Sequence, residues 1–190
     1  MEPSAAEITQ LRELYSQGRY MQAWALVQQF APLRFWRGTS ARLIGGRLAM
    51  QLGAPKLGRQ LHLLAWRHAP AHMEAIYYQA RYLLERFGPV SAWRFAHRHP
   101  DWSDASPELQ ADWWSLLGFL AGRFRDWERA ERLFQKAENL APDHPWTLVE
   151  RAGVYEMAEK YEQGLEAAQR ALDVRPWYRP AVQAAAHLLF

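Results

Sequence analysis

The chain has 190 residues and a formal net charge of +3, and its length allows a sizeable core. It has no cysteine, which excludes disulfides and thiolate metal sites. Its N-terminus has no basic stretch followed by an apolar run, and its apolar stretches fall well short of the roughly 20 residues that a membrane span needs. We therefore expect a cytoplasmic protein that makes no membrane contact.

Small residues recur along the chain in two rows with nearly the same spacing. The first row is Gly46, Ala80, Gly118, Ala152 and Ala186, separated by 34, 38, 34 and 34 residues. The second row is Ala23, Gly58, Ala92, Ala130 and Gly164, separated by 35, 34, 38 and 34 residues. Because both rows slip by four residues at the same place, they indicate one repeating unit with one local insertion, which is typical of stacked helical hairpins.

This period divides the chain into successive units that together form one domain over residues 1–190. The predicted units are 4–38, 39–72, 73–110, 111–144 and 145–178, followed by a final helix over 179–190. The four extra residues fall in segment 101–107, where Ser106 and Pro107 are typical of a cap and a first-turn proline. The last segment has no helix after it to cover its apolar face, so we expect this C-terminal helix to form a homo-oligomer contact.

The clearest unit is 111–144, in which two apolar helical stripes flank the turn 122–126. Its second stripe stops at Pro142, so the pattern predicts Asp143 as the cap of the next helix, with Pro145 in the first turn. This unit carries an ordered pattern of aromatic, Leu, small and Pro residues: Trp114, Leu117, Gly118, Ala130, Phe134, Ala137 and Pro142. The following unit repeats the pattern with Leu148, Ala152, Tyr155, Gly164, Ala168, Ala171 and Pro176. Their order resembles the tetratricopeptide repeat family.

The resemblance implies an all-α, right-handed α-solenoid of about five tetratricopeptide-like helical hairpins plus a C-terminal extra helix. It also implies a non-catalytic protein-protein interaction scaffold that binds a partner peptide or protein in a concave groove lined by the first helix of each hairpin. Members that grip a chaperone tail use Lys, Asn and Arg at fixed places. Here those places carry Ile8, Arg12, Ile44, Glu74 and Tyr78, so a chaperone-tail receptor is not expected.

In each unit, the residues of the first helix that point away from the second helix are expected to line the groove. These residues form a candidate ligand groove that is basic and aromatic in its N-terminal half. Its residues are Arg12, Tyr15, Arg47, Met50, Tyr77, Tyr78, Arg81, Phe119, Arg123 and Trp146. Residues 1–100 carry 13 basic and 5 acidic side chains, whereas residues 101–190 carry 10 and 15. Guanidinium groups bind carboxylates in forked pairs, so we expect an acidic and apolar segment as the ligand. The alternative is that the Tyr and Met side chains pack only between neighbouring helices.

Two other functions stay open on the sequence. Helical-hairpin arrays also bind single-stranded RNA, and Arg with Tyr could neutralise phosphates and stack on bases, but the acidic C-terminal half makes nucleic acid the less favoured ligand. The chain could also be an assembly or dimerisation arm of a larger multidomain enzyme. The sequence has no nucleophile motif and no glycine-rich phosphate loop, so we predict no enzyme, no catalytic residue, no cofactor and no metal site.

Ten tryptophans are distributed over the whole chain. Several lie on buried helical stripes, and the sequence therefore assigns most of them to the core. Those near unit junctions are predicted to cover helix ends; they are Trp36, Trp102, Trp146 and Trp177.

Overall fold

A computed structural model describes residues 1–99 and 101–189, and these residues form α-helices joined by turns and loops. The described part of the chain contains eleven α-helices and one short 3-10 turn at Leu33–Phe35. In chain order the helices are α1 (Ala5–Ser16), α2 (Tyr20–Val27), α3 (Thr39–Gln51), α4 (Pro55–His68), α5 (Met73–Phe87), α6 (Pro89–Ala96), α7 (Pro107–Arg123), α8 (Trp127–Leu140), α9 (Pro145–Met157), α10 (Tyr161–Val174) and α11 (Arg179–Leu189). The all-α fold of helical hairpins is thus confirmed. Residue 190, the last of the predicted final helix, lies outside the described residues.

The chain divides into two compact units, Met1–Tyr82 and Leu83–Phe190. In the first unit, α1 packs on α2 and α3, and α3 packs on α4. Its largest buried side chains include Leu11, Trp36 and Leu48, which belong to one apolar cluster. A second cluster joins Leu43 of α3 and Ala65 of α4 to Ala75 in the first part of α5.

The second unit repeats one contact pattern. Helix α7 packs on its hairpin partner α8 and on α9, and α9 packs on its partner α10 and on α11. Small residues allow these close approaches: a Cβ atom added to Gly122 would lie 2.6 Å from Val154. The segment that carries the four-residue insertion ends as predicted, because the Ser106 side chain accepts a hydrogen bond from the Leu109 backbone N–H at 3.3 Å.

A left-handed residue occupies the turn inside each hairpin. Glycine supplies it in the first two hairpins at Gly18 and Gly53, with φ of 74° and 86°, and in the third hairpin at Gly88, the N-cap of α6, with φ of 83°. Arg125 and Glu159 occupy the place of Gly18 and Gly53 in the last two hairpins, with φ of 61° and 59°. Since a Cβ atom disfavours this conformation, the last two turns are held at an energetic cost that the first three avoid.

The turns between hairpins also contain left-handed residues, and one prediction fails there. Asp143 has φ 54° and lies before His144, which is the N-cap of α9, so Asp143 does not cap that helix. Its carboxylate instead accepts a hydrogen bond from Arg170 at 2.9 Å. Trp177 occupies the same place 34 residues later and has φ 61°.

The tryptophans at the unit junctions behave in two ways. Trp36 and Trp102 are buried, and their indole N–H groups donate to the carbonyl oxygens of Ala31 and His99. Both side chains are therefore packed inside the protein at unit junctions. Trp177 is not, because it is 90% exposed.

Candidate functional site

Three side chains from α1, α3 and α5 meet in a charged cluster in the first unit. Arg12 donates a hydrogen bond to the Glu74 carboxylate at 2.7 Å, and a guanidinium nitrogen of Arg47 lies 3.6 Å from the other Glu74 oxygen. We call Arg12, Arg47 and Glu74 the arginine–glutamate cluster. The side chains of the two arginines are 34% and 30% exposed, whereas that of Glu74 is 11% exposed. The carboxylate therefore lies beneath two guanidinium groups that reach the surface.

The aromatic ring of Tyr15 fixes one of the two arginines. The Arg47 guanidinium carbon lies 4.4 Å from the centre of the Tyr15 ring, within the range of a cation–π contact. Tyr15 in turn packs edge-on against Tyr20 at 5.2 Å between ring centres. This arrangement presents a positive charge and an aromatic surface side by side.

The electrostatics of the arginine–glutamate cluster keep Glu74 ionised. Burial alone would raise the pKa of the Glu74 carboxyl, but the Arg12 hydrogen bond and the charges of Arg12, Arg47 and His72 outweigh it, so the pKa lies below its usual value. Two cations face one anion, and the cluster carries a net positive charge. A second carboxylate can therefore be accommodated electrostatically.

A buried histidine lies behind this cluster. His62 of α4 is 3% exposed, stacks on Tyr78 with 3.9 Å between ring centres, and has its Nε2 atom 3.3 Å from the Leu43 carbonyl oxygen. Burial lowers the pKa of His62 to about 4, so the ring is neutral at physiological pH. The ring fits only because residue 46 is glycine, since a Cβ atom there would lie 2.4 Å from it.

The other predicted groove residues of the first unit differ in accessibility. Tyr77 is 5% exposed and packs edge-on against Tyr78 at 5.1 Å. Met50 lies against Gly58 of α4, where an added Cβ would meet its Cγ atom at 2.4 Å. Arg81 is half-buried. Among the predicted residues of this unit, Arg12, Tyr15 and Arg47 are therefore the three brought together in one partly exposed cluster.

The predicted residues of the second unit do not form a comparable cluster. Phe119 is partly buried and lies 3.7 Å from the position that a Cβ on Gly153 would take. Trp146 is partly buried, and Arg123 is exposed at the end of α7. A buried hydrogen bond of 2.5 Å from Ser115 to Glu150 joins α7 to α9 nearby.

Sequence reasoning missed the role of Glu74. It identified this residue only as a departure from the chaperone-tail clamp, although Glu74 lies on the first helix of its hairpin, as Arg12 and Arg47 do. A lone acidic residue on a surface that is otherwise basic was the available signal. Its side-chain direction, which decides whether it meets the arginines, is not encoded in the spacing.

A cleft in the second unit was also not predicted. It has a volume of about 270 Å³ and lies between α8, α9 and the start of α10. We call it the Phe134 cleft, because Phe134 and Val154 are its buried apolar residues, with Trp127 and Tyr155 beside them. Arg151 lies in its wall, where its side chain is 14% exposed and paired with Glu131 and Glu138.

Neither metal chemistry nor a membrane span is indicated in the described residues. In residues 1–99 and 101–189, no group of three or more His, Asp or Glu side chains is placed to hold a metal ion. None of the helices in these ranges is both long enough and apolar enough to cross a bilayer. His97, one of the histidines near the insertion, has its Nδ1 atom 2.9 Å from the Trp93 carbonyl oxygen.

Comparison with known proteins identifies the fold. No family profile matches the sequence, and no curated protein matches it. Among solved structures, TTC0263, a thermophilic tetratricopeptide repeat protein of Thermus thermophilus, is similar with a TM-score of 0.63 and 17% identity, covering 97% of this chain and 98% of that one. PilF of Pseudomonas aeruginosa is similar with a TM-score of 0.56 and 15% identity, covering 96% and 81%.

A third similar structure is the Cut9–Hcn1 hetero-tetramer of the APC/C, with a TM-score of 0.63 and 16% identity over 97% of this chain. The chain spans 36% of the length of that protein. At these identities the likeness concerns the fold, and the fold is that of a tetratricopeptide-type helical repeat.

Proposed function

We propose that this protein is a non-catalytic interaction scaffold whose first unit binds an acidic and apolar segment of a partner protein. The observation that carries the proposal is the arginine–glutamate cluster, in which two arginines already hold a carboxylate and retain a net positive charge. The hydrogen bond from Arg12 to Glu74 uses one of the five N–H donors of its guanidinium. A ligand carboxylate would accept from the remaining donors at the surface.

The surroundings of the cluster favour a ligand that also carries apolar side chains. Tyr15 provides an aromatic face next to Arg47, and Tyr side chains supply contact area at a small entropic cost. The first unit, residues 1–82, contains 10 Lys or Arg and 4 Asp or Glu, a net charge of +6, whereas residues 83–190 contain 13 and 16, a net charge of −3. This difference favours placing an acidic ligand on the first unit rather than the second.

RNA is the alternative ligand, and it differs in its physical requirements. Single-stranded nucleic acid is bound through several phosphates and through bases stacked on exposed aromatic rings. Tyr77 is buried and Tyr78 is stacked on His62, so these two rings offer little surface for bases.

The proposal is tested by titrating the protein with a labelled peptide in which Glu alternates with Leu and Phe. The matched controls are the same peptide with Lys for Glu and a single-stranded oligo-uridylate. We expect the acidic peptide to bind with a dissociation constant on the order of micromolar and the Lys peptide to bind at least about 10-fold more weakly. Tighter binding of oligo-uridylate than of the acidic peptide, with a steep loss at higher salt, would overturn the proposal in favour of RNA.

A further inference from the structure

The exposed Trp177 and the Phe134 cleft are complementary features of one compact unit. Trp177 is 90% exposed in the turn between α10 and α11, and its φ of 61° is a conformation that a bulky residue adopts at a cost. The preceding unit places Asp143 at the same point of its repeat, and aspartate tolerates this conformation better. The contacts of this strained and largely solvated tryptophan reveal no role in stabilising the fold.

The Phe134 cleft has the size and lining to receive one large aromatic side chain. Its volume of about 270 Å³ lies just below the range of about 300–1,000 Å³ that is usual for small-molecule sites. Phe134 and Val154 are 1% and 4% exposed and provide its apolar floor. Burying a tryptophan there would remove on the order of 150–250 Å² of side-chain surface from water.

Individual charged residues around the two features are complementary. Trp177 is flanked by Arg175 and Arg179, with Asp173 one helical turn before it. The mouth of the cleft carries Glu128, which is 91% exposed, and Glu131, which is 44% exposed, with Lys160 on the opposite side. Glu131 and Arg151 are already paired with each other, whereas Glu128 has an exposed contact of 3.8 Å with Arg132. An arginine beside Trp177 can thus pair with Glu128, and Asp173 can pair with Lys160.

Trp177 cannot reach the cleft of its own chain. Lys160 and Gln163 line the cleft at the start of α10, whereas Trp177 follows the other end of this 14-residue helix. A helix of that length separates them by about 20 Å, at 1.5 Å per residue. The occupant must therefore come from another molecule.

We propose that a second copy of this chain inserts its Trp177 into the Phe134 cleft, so that the protein self-associates through its second unit. A contact with one aromatic anchor and few charges is small, and we expect a dissociation constant on the order of 100 µM. The proposal concerns the second unit and does not depend on ligand binding by the first.

The test is sedimentation velocity over a range of protein concentrations. The wild-type mass is expected to rise with concentration, and Trp177→Asn is expected to weaken self-association by at least about 10-fold, because it removes the anchor. This variant should fold at least as well as the wild type, since asparagine tolerates a positive φ. Met21→Gln removes a side chain that is 71% exposed in the first unit, and it should leave self-association unchanged.

A mixing experiment identifies the cleft as the receiving site. Gln163→Trp introduces a bulky residue at the cleft wall and is expected to abolish self-association by occupying the space. A mixture of Trp177→Asn with Gln163→Trp should form a 1:1 complex, because one chain keeps the anchor and the other keeps the open cleft. A wild type that stays monomeric throughout, or a Trp177→Asn variant that associates like the wild type, would overturn the proposal.

Discussion

At the scale of single residues, the first unit depends on a glycine that admits a histidine. Gly46 lies against His62, and a Cβ atom at this position would come within 2.4 Å of the imidazole ring. Because the ring also stacks on Tyr78, it cannot move without disturbing a neighbour of the arginine–glutamate cluster. The sequence predicted a small residue here from the period alone, and the structure supplies the physical reason.

The substitution Gly46→Ala should therefore destabilise the fold, by about 2 kcal/mol of unfolding free energy, through overpacking against His62. Gly153→Ala in α9 is the matched control, because its new Cβ would meet Phe119 at an ordinary 3.7 Å. In that helix, alanine should stabilise by about 0.5 kcal/mol through its higher helix propensity. Urea denaturation measures both, and equal effects of the two substitutions would contradict this account of Gly46.

His62 makes stability depend on pH. Its pKa is lowered to about 4 in the folded state by burial, against about 6.5 in the unfolded chain, so only the unfolded chain gains this proton as the pH falls between these values. Stability due to neutral His62 is full above about pH 6.5, falls below it, and is lost by about pH 4. The difference amounts to about 3 kcal/mol.

Urea denaturation of the wild type and of His62→Gln across this pH range checks the prediction. The variant removes the titrating group, and its stability should decline less between pH 6.5 and 4. The Glu74 carboxyl contributes at lower pH: its pKa is lowered by its arginines against the effect of burial, so its contribution is lost only as the pH falls below the usual range of a glutamate. Parallel pH profiles for wild type and variant would show that His62 is not the responsible group.

At the scale of helices and turns, the sequence predicted the hairpins well and one helix start poorly. The two rows of small residues located the helix pairs because close helix packing requires small side chains at fixed intervals. Ser106 was predicted as a cap and is one. Asp143 failed as a cap because aspartate suits both a cap and a left-handed turn, and spacing alone does not distinguish these conformations.

The turns inside the hairpins offer a test of backbone strain. Arg125 and Glu159 take the place that glycine fills at Gly18 and Gly53. Replacing either residue by glycine should raise the free energy of unfolding by about 1 kcal/mol, because glycine has no Cβ atom and adopts the left-handed conformation without steric strain. Gly53→Ala should lower it by a similar amount, although nothing lies within 4 Å of the added Cβ. Chemical denaturation of the three variants measures the effect, and unchanged stability in all three would contradict it.

At the scale of the whole molecule, function depends on how side chains of different helices combine. The sequence placed Arg12 and Arg47 in register, and the structure adds Glu74 between them at 2.7 and 3.6 Å. It also adds the Phe134 cleft, which no sequence pattern indicated because its walls come from three helices. Period and composition describe which residues recur, whereas charge pairing and clefts depend on side-chain directions and distances.

The central claim is that Arg12 and Arg47 bind a ligand carboxylate with which Glu74 competes. It is tested most directly by isothermal titration calorimetry of the acidic peptide with the wild type, Glu74→Gln and Arg12→Gln/Glu74→Gln. We predict that Glu74→Gln binds about 10-fold more tightly than the wild type, because the internal competitor is gone, and that the double variant loses this gain. The double variant removes both partners of the ion pair, so it leaves no buried carboxylate unpaired. Equal affinity in all three proteins would contradict the claim.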